Sequence, residues 1–205
     1  MKKDLLQIEL ETQFKWFHAH PELSYQEYET TLRIKKLLKE HDIEILDLPL
    51  NTGLVAIIRG KYPGPVIALR SDIDALPVDE ETDIQWRSKS EGKMHACGHD
   101  FHLTTIYGAA LLLKKQQENI HGTIKLIFQP AEESSLGALK IIESKALDDV
   151  EVIFGIHSSS VFPVGTLGIK SGSITAAVDR FEIKLKGFGT HAAHPQQGKD
   201  PIVAL

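Results

Sequence analysis

Hydrophobic residues recur every three or four positions in four segments of the chain, with polar residues between them. This spacing is typical of an amphipathic α-helix, which buries one face. It predicts helices over residues 4–17, 24–41, 100–115 and 135–146. Ser24 and Glu27 form a capping-box pattern at the start of the second helix, in which each side chain would bond the backbone N–H of the other residue.

Four shorter segments are almost continuously apolar and are bounded by glycine, proline or charged residues. They predict strands over residues 54–58, 66–70, 123–128 and 150–156. Near-continuous apolar strands are typical of a sheet that is covered on both faces. Because strands and helices alternate from the second strand onwards, right-handed crossovers should join parallel strands. The sequence therefore predicts an α/β fold with a mostly parallel sheet flanked by helices.

The pattern changes after the last of these strands. Glycine and proline become frequent, and residues 178–186 alternate between apolar and polar, as a half-exposed strand does. Asp200 and Pro201 then fit the N-cap and the first position of a further helix. A helix that began there would have a single turn within the chain and could not stand alone. We therefore expect a catalytic, metal-binding domain over residues 1–171 and the beginning of a second, incomplete domain over 172–205.

Composition narrows the functional classes. The chain is 42% hydrophobic and 25% charged, as soluble globular proteins are. A net charge of −5 argues against a nucleic-acid-binding surface. The first lysines are not followed by the apolar core of a signal peptide, and no apolar run approaches the length of a membrane span. A single cysteine excludes an intrachain disulfide and fits a reducing compartment, so we expect a cytoplasmic protein that binds neither nucleic acid nor membrane.

Side chains that can bind a metal follow the predicted strands at their carboxyl ends. These are Asp72 and Asp74 after the second strand, Glu132 and Glu133 after the third, and His157 after the fourth. The carboxyl ends of parallel strands share one edge of an open sheet, where ligands bind. Cys97 and His99 precede a helix and should reach the same edge, and in an extended segment they would point to the same side. Thiolate and imidazole suit a divalent transition metal such as zinc, so the sequence predicts a metal site at this edge.

The adjacent carboxylates Glu132 and Glu133 allow a division of labour. In an extended backbone they would point in opposite directions, so that one could bind a metal and the other could address a water on that metal. This is the usual arrangement of metal-assisted hydrolysis, in which a carboxylate takes and returns the proton. The alternative is that both residues are an acidic cap on the following helix, where the helix dipole favours them.

Six stretches of the sequence occur in a characteristic order. They are FHAHPELS at 17–24, RSDIDALP at 70–77, MHACGHD at 94–100, QPAEE at 129–133, GIH at 155–157 and GFGTHAAHP at 187–195. Together they resemble the M20 family of metallopeptidases and amidohydrolases, specifically the branch with N-acyl-amino-acid amidohydrolases, hippurate hydrolases and auxin-conjugate hydrolases. The resemblance covers nearly the whole chain. It implies a zinc-peptidase-like α/β catalytic domain and the start of an α+β lid domain through which relatives dimerise.

The resemblance also implies a role for each matched position. The ligands of a two-metal centre, holding zinc, manganese, cobalt or nickel, would be Cys97, His99, Glu133 and His157. Glu132 would be the general base and acid, and Asp72 would steady the site without binding the metal. His191, in the lid domain, would help to polarise the scissile carbonyl, in relatives across a dimer interface. No role is assigned to His102 or His194.

The implied activity is metal-dependent hydrolysis of the amide bond of N-acyl amino acids or related small amides, by a homodimer when the protein is complete. Members of the family continue through the rest of the lid and return to the catalytic domain with a further metal-binding histidine, which this sequence does not contain. We therefore expect the 205-residue chain alone to be much less active than a complete relative and prone to aggregation.

Two other interpretations remain open at the level of sequence. One is an inactive, truncated remnant that acts at most as a metal- or ligand-binding module. The other is an enzyme that uses Cys97 as a nucleophile together with His99. The paired carboxylates would then have no task, and His157 would be redundant. Activity with added metal separates the first interpretation from a hydrolase, and sensitivity to a chelator separates the second.

Overall fold

The computed structural model describes residues 4–179 and 181–205, which form two compact units. The first unit ends at Ser160, and the second is Val161–Leu205. The helices of the first unit are α1 (Leu5–Ala19), α2 (Tyr28–Glu40), α3 (His99–Lys115) and α4 (Gly137–Glu143), with a 3₁₀ turn at Gln117–Asn119. Its strands are β1 (Glu44–Ile45), β2 (Leu54–Arg59), β3 (Tyr62–Asp72), β4 (His121–Gln129) and β5 (Val152–Gly155). No helix in the described part of the chain is long and apolar enough to cross a lipid bilayer.

The five strands form one sheet in the order β1-β2-β4-β3-β5. β3, β4 and β5 run parallel, whereas β2 is antiparallel to β1 and β4. β2 runs opposite to β3 because only Gly60 and Lys61 connect them, and parallel strands need a crossover of a dozen residues or more. α3 and α4 lie in the two crossovers between the parallel strands. The predicted α/β fold is confirmed, with a mixed sheet.

Helices cover both faces of this sheet. Because successive side chains of a strand point to opposite faces, Leu126 and Phe128 of β4 belong to one core and Ile127 belongs to the other. The first core also contains buried side chains of α1, α2 and α3, among them Phe17, Leu38 and Tyr107. The second core contains Ile141 of α4. The central strand β4 is therefore covered on both faces. Functional side chains at this strand can reach solvent only from its end.

The apolar strand β5 departs from this arrangement. The sequence predicts strands covered on both faces, and the middle residues of β2 and β4 are indeed buried. In β5, however, Val152, Ile153 and Phe154 each keep about half of their surface exposed. The prediction is wrong for this strand because β5 is the edge of the sheet and pairs only with β3.

The start of α2 also differs from the sequence-based prediction. Glu27 is the N-cap residue and makes no side-chain capping bond, so the capping box of Ser24 and Glu27 is wrong. The Glu22 carboxylate instead accepts the N–H groups of Glu29 (3.1 Å) and Thr30 (2.8 Å). Because these N–H groups are already satisfied, the two residues of the expected capping box are free for other partners.

The second unit contains little regular structure among its described residues. Residues 178, 179 and 181–186 form no strand, so the predicted strand is wrong there, and Arg180 lies outside the described residues. A strand needs a neighbouring backbone, and the pairing found in this unit is instead a bridge between Phe188 and Lys199. The helix expected from Asp200 is also wrong: Asp200 accepts the N–H of Ile202 (2.9 Å), but only turns follow.

Candidate metal centre

The polar end of the sheet is built from the ends of β3, β4 and β5 and from the start of α3. Asp72 is the last residue of β3, and Ile156 and His157 follow β5 directly. Gly98 turns the chain sharply before α3, because its φ of +86° lies in the left-handed region that favours glycine. A Cβ atom at Gly98 would lie 2.4 Å from the Ser158 hydroxyl oxygen. Cys97 and His99 are therefore not in an extended segment, and it is this tight turn that brings both side chains to the sheet edge.

Three side chains that can bind a metal meet at this point, two from the start of α3 and one from the segment after β5. The ligand atoms of Cys97, His99 and His157 lie within 4.8 Å of one another. Cys97 Sγ is 3.4 Å from His157 Nε2. Glu132 and Glu133 approach from the end of β4, each with a carboxylate oxygen near His99 Nε2, at 3.8 and 3.7 Å. The structure thus brings together these five of the seven side chains that the sequence placed at this edge, and their individual roles stay predictions.

The hydrogen bonds of the two histidines orient their lone pairs toward the cluster. His99 Nδ1 lies 2.8 Å from the carbonyl oxygen of Asp74, and His157 Nδ1 lies 2.7 Å from that of Ser158. A carbonyl oxygen can only accept, so Nδ1 carries a proton in both rings, and in the neutral form of each ring the free lone pair is on Nε2. Imidazole bound to a metal through one nitrogen commonly donates its other N–H in this way.

Two buried atoms at the centre of the cluster have no hydrogen-bond partner in the described part of the chain. They are His99 Nε2 and Glu133 Oε1, which lie 3.7 Å apart. A buried polar atom without a partner is costly and calls for an explanation. A divalent cation between the two atoms would satisfy both, and the thiol, imidazole and carboxylate groups around it are the ligands that zinc and similar ions take. The residues present therefore fit a metal.

The electrostatics of the cluster lead to the same interpretation. Burial raises the pKa of the Cys97 thiol to about 11, and the carboxylates of Glu133 and Glu132 add to this effect. Burial also raises the pKa of Glu133. Several acidic groups thus lie close together at this site, and a bound cation would stabilise their charged forms. A thiol that is protonated at neutral pH is a poor nucleophile, so the environment of Cys97 argues against the cysteine-nucleophile interpretation.

The turn that carries Glu132 and Glu133 is not extended. Ala131 has a φ of +51°, and Ser135 donates its N–H to the Glu132 carbonyl (2.8 Å). The prediction that the two carboxylates point in opposite directions is wrong, because this turn directs both toward His99. The alternative of an acidic helix cap also fails, since α4 begins only at Gly137 and has no side-chain capping bond.

Sequence reasoning assigned no role to His102, but the structure places it beside the cluster. His102 Nε2 accepts the N–H of Ser158 (2.8 Å), and Nδ1 then donates to Asp72 Oδ1 (2.7 Å). Burial opposes ionisation of Asp72, but the bond from His102 and the charges of His99 and Arg70 lower its pKa to about 2. The spacing of three residues between His99 and His102 on a helix was the available signal, because it puts both rings on one face.

A second buried network lies behind the start of α3. His18 Nδ1 is 2.6 Å from Asp100 Oδ2, and Nε2 is 3.2 Å from Glu80 Oε1. The hydrogen bond with Asp100 raises the pKa of His18, although burial opposes it, and Glu80 contributes in the same direction. With a carboxylate at each ring nitrogen, His18 is stabilised as a cation. Its bond with Asp100 connects α1 to α3.

His191 belongs to the second unit. It lines a cavity of about 530 Å³ within that unit, together with Gly187 and Thr190 among other residues. Its Nδ1 accepts the backbone N–H of Ala193 at 3.1 Å. The role given to His191 remains a prediction.

Comparison with known proteins places these observations in a family. Residues 68–204 match the model of peptidase family M20/M25/M40. The chain is 53% identical over 188 residues to the N-acetylcysteine deacetylase of Bacillus subtilis, covering 91% of this chain and 50% of that protein. It is 43% identical over 187 residues to the IAA-amino acid hydrolase ILR1-like 5 of Arabidopsis thaliana, covering 91% and 43%.

Solved structures agree with the sequence matches. A dinuclear metal-binding M20 peptidase from Bacillus subtilis superposes with a TM-score of 0.80 at 50% identity, covering 82% of this chain and 47% of that one. The chain spans about half the length of the curated relatives that it matches. The match to the family model extends over most of the chain and includes every residue of the cluster described above. The chain belongs to the M20/M25/M40 peptidase family.

Proposed function

We propose that the protein to which this chain belongs is a metal-dependent hydrolase that cleaves the amide bond of N-acyl amino acids or related small amides. The observation that carries this proposal is the pair of buried, unpartnered atoms His99 Nε2 and Glu133 Oε1, with Cys97 and His157 beside them. The names of the relatives support the substrate class, since one is an N-acetylcysteine deacetylase and another is an IAA-amino acid hydrolase.

In this proposal two divalent ions are held by Cys97, His99, Glu133 and His157. The dinuclear metal-binding peptidase supports the number of ions, and the mixed thiol, imidazole and carboxylate ligands suit zinc, manganese, cobalt or nickel. Such ions supply Lewis acidity, which lowers the pKa of water and polarises a carbonyl group. The carboxyl group of Asp72 steadies the site through His102, which bonds the residue after His157.

The two adjacent glutamates take different tasks because their exposure differs. The Glu133 side chain keeps 23% of its surface exposed, whereas Glu132 keeps 40% and can reach water and substrate. We therefore assign Glu133 to the metal and Glu132 to proton transfer. The Glu132 carboxylate removes a proton from the attacking water and returns it to the nitrogen of the leaving amine.

The remaining assignments concern the whole protein. We propose that residues 172–205 begin a lid domain through which the protein forms a homodimer, and that His191 polarises the scissile carbonyl. We also propose a cytoplasmic location, in which the Cys97 thiol stays reduced. We expect the 205-residue chain alone to be much less active than a complete enzyme.

The proposal is tested by hydrolysis assays on N-acetyl, N-benzoyl and indole-3-acetyl amino acids. The samples are the purified chain and a chimera in which it replaces the matching half of the Bacillus subtilis N-acetylcysteine deacetylase. We expect the chimera to hydrolyse at least one class with zinc, manganese, cobalt or nickel present, and to lose this activity with a chelator. Hydrolysis that survives complete removal of metal would overturn the proposal, as would a folded, metal-loaded chimera that cleaves none of these amides.

A further inference from the structure

Three consecutive backbone N–H groups of the turn at the end of β4 are bound by carboxylates. The N–H of Ala131 donates to Glu27 Oε1 at 2.7 Å. The N–H groups of Glu132 and Glu133 donate to Asp74 Oδ1 and Oδ2, both at 3.0 Å. The two carboxylates come from distant parts of the sequence, one from the start of α2 and the other from just after β3. Hydrogen bonds to a charged acceptor are about twice as strong as neutral ones.

Glu27 is placed where a carboxylate is costly. The residue is fully buried, and burial raises its pKa. Its Oε2 atom has no hydrogen-bond partner in the described part of the chain. An apolar side chain of the same size would avoid this cost. The Thr52 side chain and the backbone N–H of Ala131 offset part of this cost, and the bond to Ala131 is the one that reaches the turn.

Ala131 needs such a restraint because of its backbone conformation. Its φ of +51° lies in the left-handed region, which residues other than glycine rarely adopt. A conformation of this kind persists only where the surroundings impose it. If the turn relaxed to an ordinary φ, the two glutamates that follow would move away from His99.

Asp74 links the same turn to the cluster. Besides the two N–H groups, its carboxylate accepts the Ser24 hydroxyl at 2.7 Å, and its backbone carbonyl accepts His99 Nδ1 at 2.8 Å. One buried residue thus fixes the ring of His99 and the peptide groups of Glu132 and Glu133 at the same time.

We propose that Glu27 and Asp74 are positioning residues that form a carboxylate cradle, defined as these two side chains, for the turn bearing Glu132 and Glu133. The cradle sets the distance of both glutamates from His99 without touching metal or substrate. This inference rests on the proposed function, because it takes Glu133 as a metal ligand and Glu132 as the base. A displacement of about one ångström in such a group can cost a hundredfold in rate.

The test compares two substitutions of equal length at Glu27. Glu27→Gln keeps an oxygen that accepts the Ala131 N–H, whereas Glu27→Met keeps the length and removes the acceptor. Glu22→Met is the matched control, since it removes a carboxylate that binds two N–H groups of α2 but none of the turn. Co²⁺ is titrated into each purified chain, and its affinity and visible absorption spectrum are recorded together with the thermal unfolding midpoint.

We expect Glu27→Met to weaken Co²⁺ binding at least about tenfold, as the loss of a partner of a metal ligand typically does, and to change the absorption spectrum. Glu27→Gln and Glu22→Met should keep the wild-type affinity and spectrum. Wild-type affinity in Glu27→Met would overturn the inference, and so would an equal loss in Glu22→Met or in Glu27→Gln. If Glu27→Met does not fold, Asp74→Asn takes its place. Both oxygens of Asp74 accept an N–H of the turn, so the amide nitrogen of asparagine leaves one of these groups without an acceptor, and the expected loss and the contrary result are the same. A wild-type chain that binds no Co²⁺ would instead overturn the proposed metal site itself.

Discussion

His102 Nδ1 lies 2.7 Å from Asp72 Oδ1, and both side chains are buried. Through Nε2, the same ring accepts the N–H of Ser158, the residue that follows His157. The last residue of β3 and the segment after β5 are therefore connected through one imidazole. This connection holds His157 at the cluster although His157 itself is exposed.

Substituting His102 should weaken the metal site without removing a ligand. In His102→Phe the ring volume is roughly kept, but the N–H of Ser158 loses its acceptor and Asp72 loses a donor. We expect about a tenfold loss of zinc affinity and a loss of about 1–3 kcal/mol in the free energy of unfolding. Isothermal titration and urea denaturation measure the two effects. Unchanged zinc affinity in a folded His102→Phe chain would show that the connection does not position His157.

Glu132→Gln should separate proton transfer from metal binding. The amide keeps the shape of the side chain but cannot accept a proton, so turnover should fall at least about a hundredfold while metal content stays the same. Glu133→Gln is the matched control and should lose metal affinity instead. Turnover is measured in the chimera on N-acetyl amino acids, and metal content by elemental analysis. Near-wild-type turnover in Glu132→Gln would mean that another group is the base.

Gly98→Ala should disturb the cluster through steric contact. The residue has a φ of +86°, and the new Cβ would lie 2.4 Å from the Ser158 hydroxyl oxygen. Gly92 is a matched control, because its φ is +69° and no atom lies within 4 Å of a Cβ built there. We expect both alanine variants to lose about 1–3 kcal/mol from backbone strain, and Gly98→Ala alone to lose zinc affinity. Equal zinc affinity in the two variants would contradict the steric argument.

The His18 network should make stability depend on pH. The pKa of His18 is raised in the folded chain by Asp100 and Glu80, against the opposing effect of burial. The stabilising contribution is therefore fully present below the unfolded pKa of about 6.5 and is lost as pH rises through the higher folded pKa. We expect the free energy of unfolding of the wild type relative to His18→Gln to fall as the pH rises from the unfolded pKa of about 6.5 through the higher folded pKa. A difference that is constant or grows over this range would contradict the assignment of His18 as a cation.

Much of the framework, and the meeting of the candidate ligands at one edge of the sheet, could be predicted from the sequence for physical reasons. Apolar runs and helical periodicity report burial, so β2, β3, β4 and the long helices could be located, and the topology of parallel strands brings their carboxyl ends together. The two-residue strand β1 has too few residues to produce a pattern. The exposure of β5 depends on its position at the edge of the sheet, which its own residues do not encode.

The contacts within the cluster were harder to predict. The direction of Glu132 and Glu133 depends on the left-handed conformation of Ala131, and alanine gives no local signal for it. The Ser24–Glu27 pair fitted a capping box, but Ser24 bonds Asp74 and Glu27 bonds Ala131, both distant in sequence. Tertiary hydrogen bonds of this kind override a local motif, and one sequence does not reveal them.

The measurement that tests the metal centre most directly is a zinc titration of the purified chain, with stoichiometry confirmed by elemental analysis. We expect the wild type to bind zinc, and Cys97→Ala and His99→Ala each to lose at least about tenfold in affinity because each removes one ligand of a shared site. His194→Ala, in the second unit, should bind as the wild type does. Zinc affinity and stoichiometry that are unchanged in Cys97→Ala and His99→Ala would contradict a metal centre at this edge of the sheet.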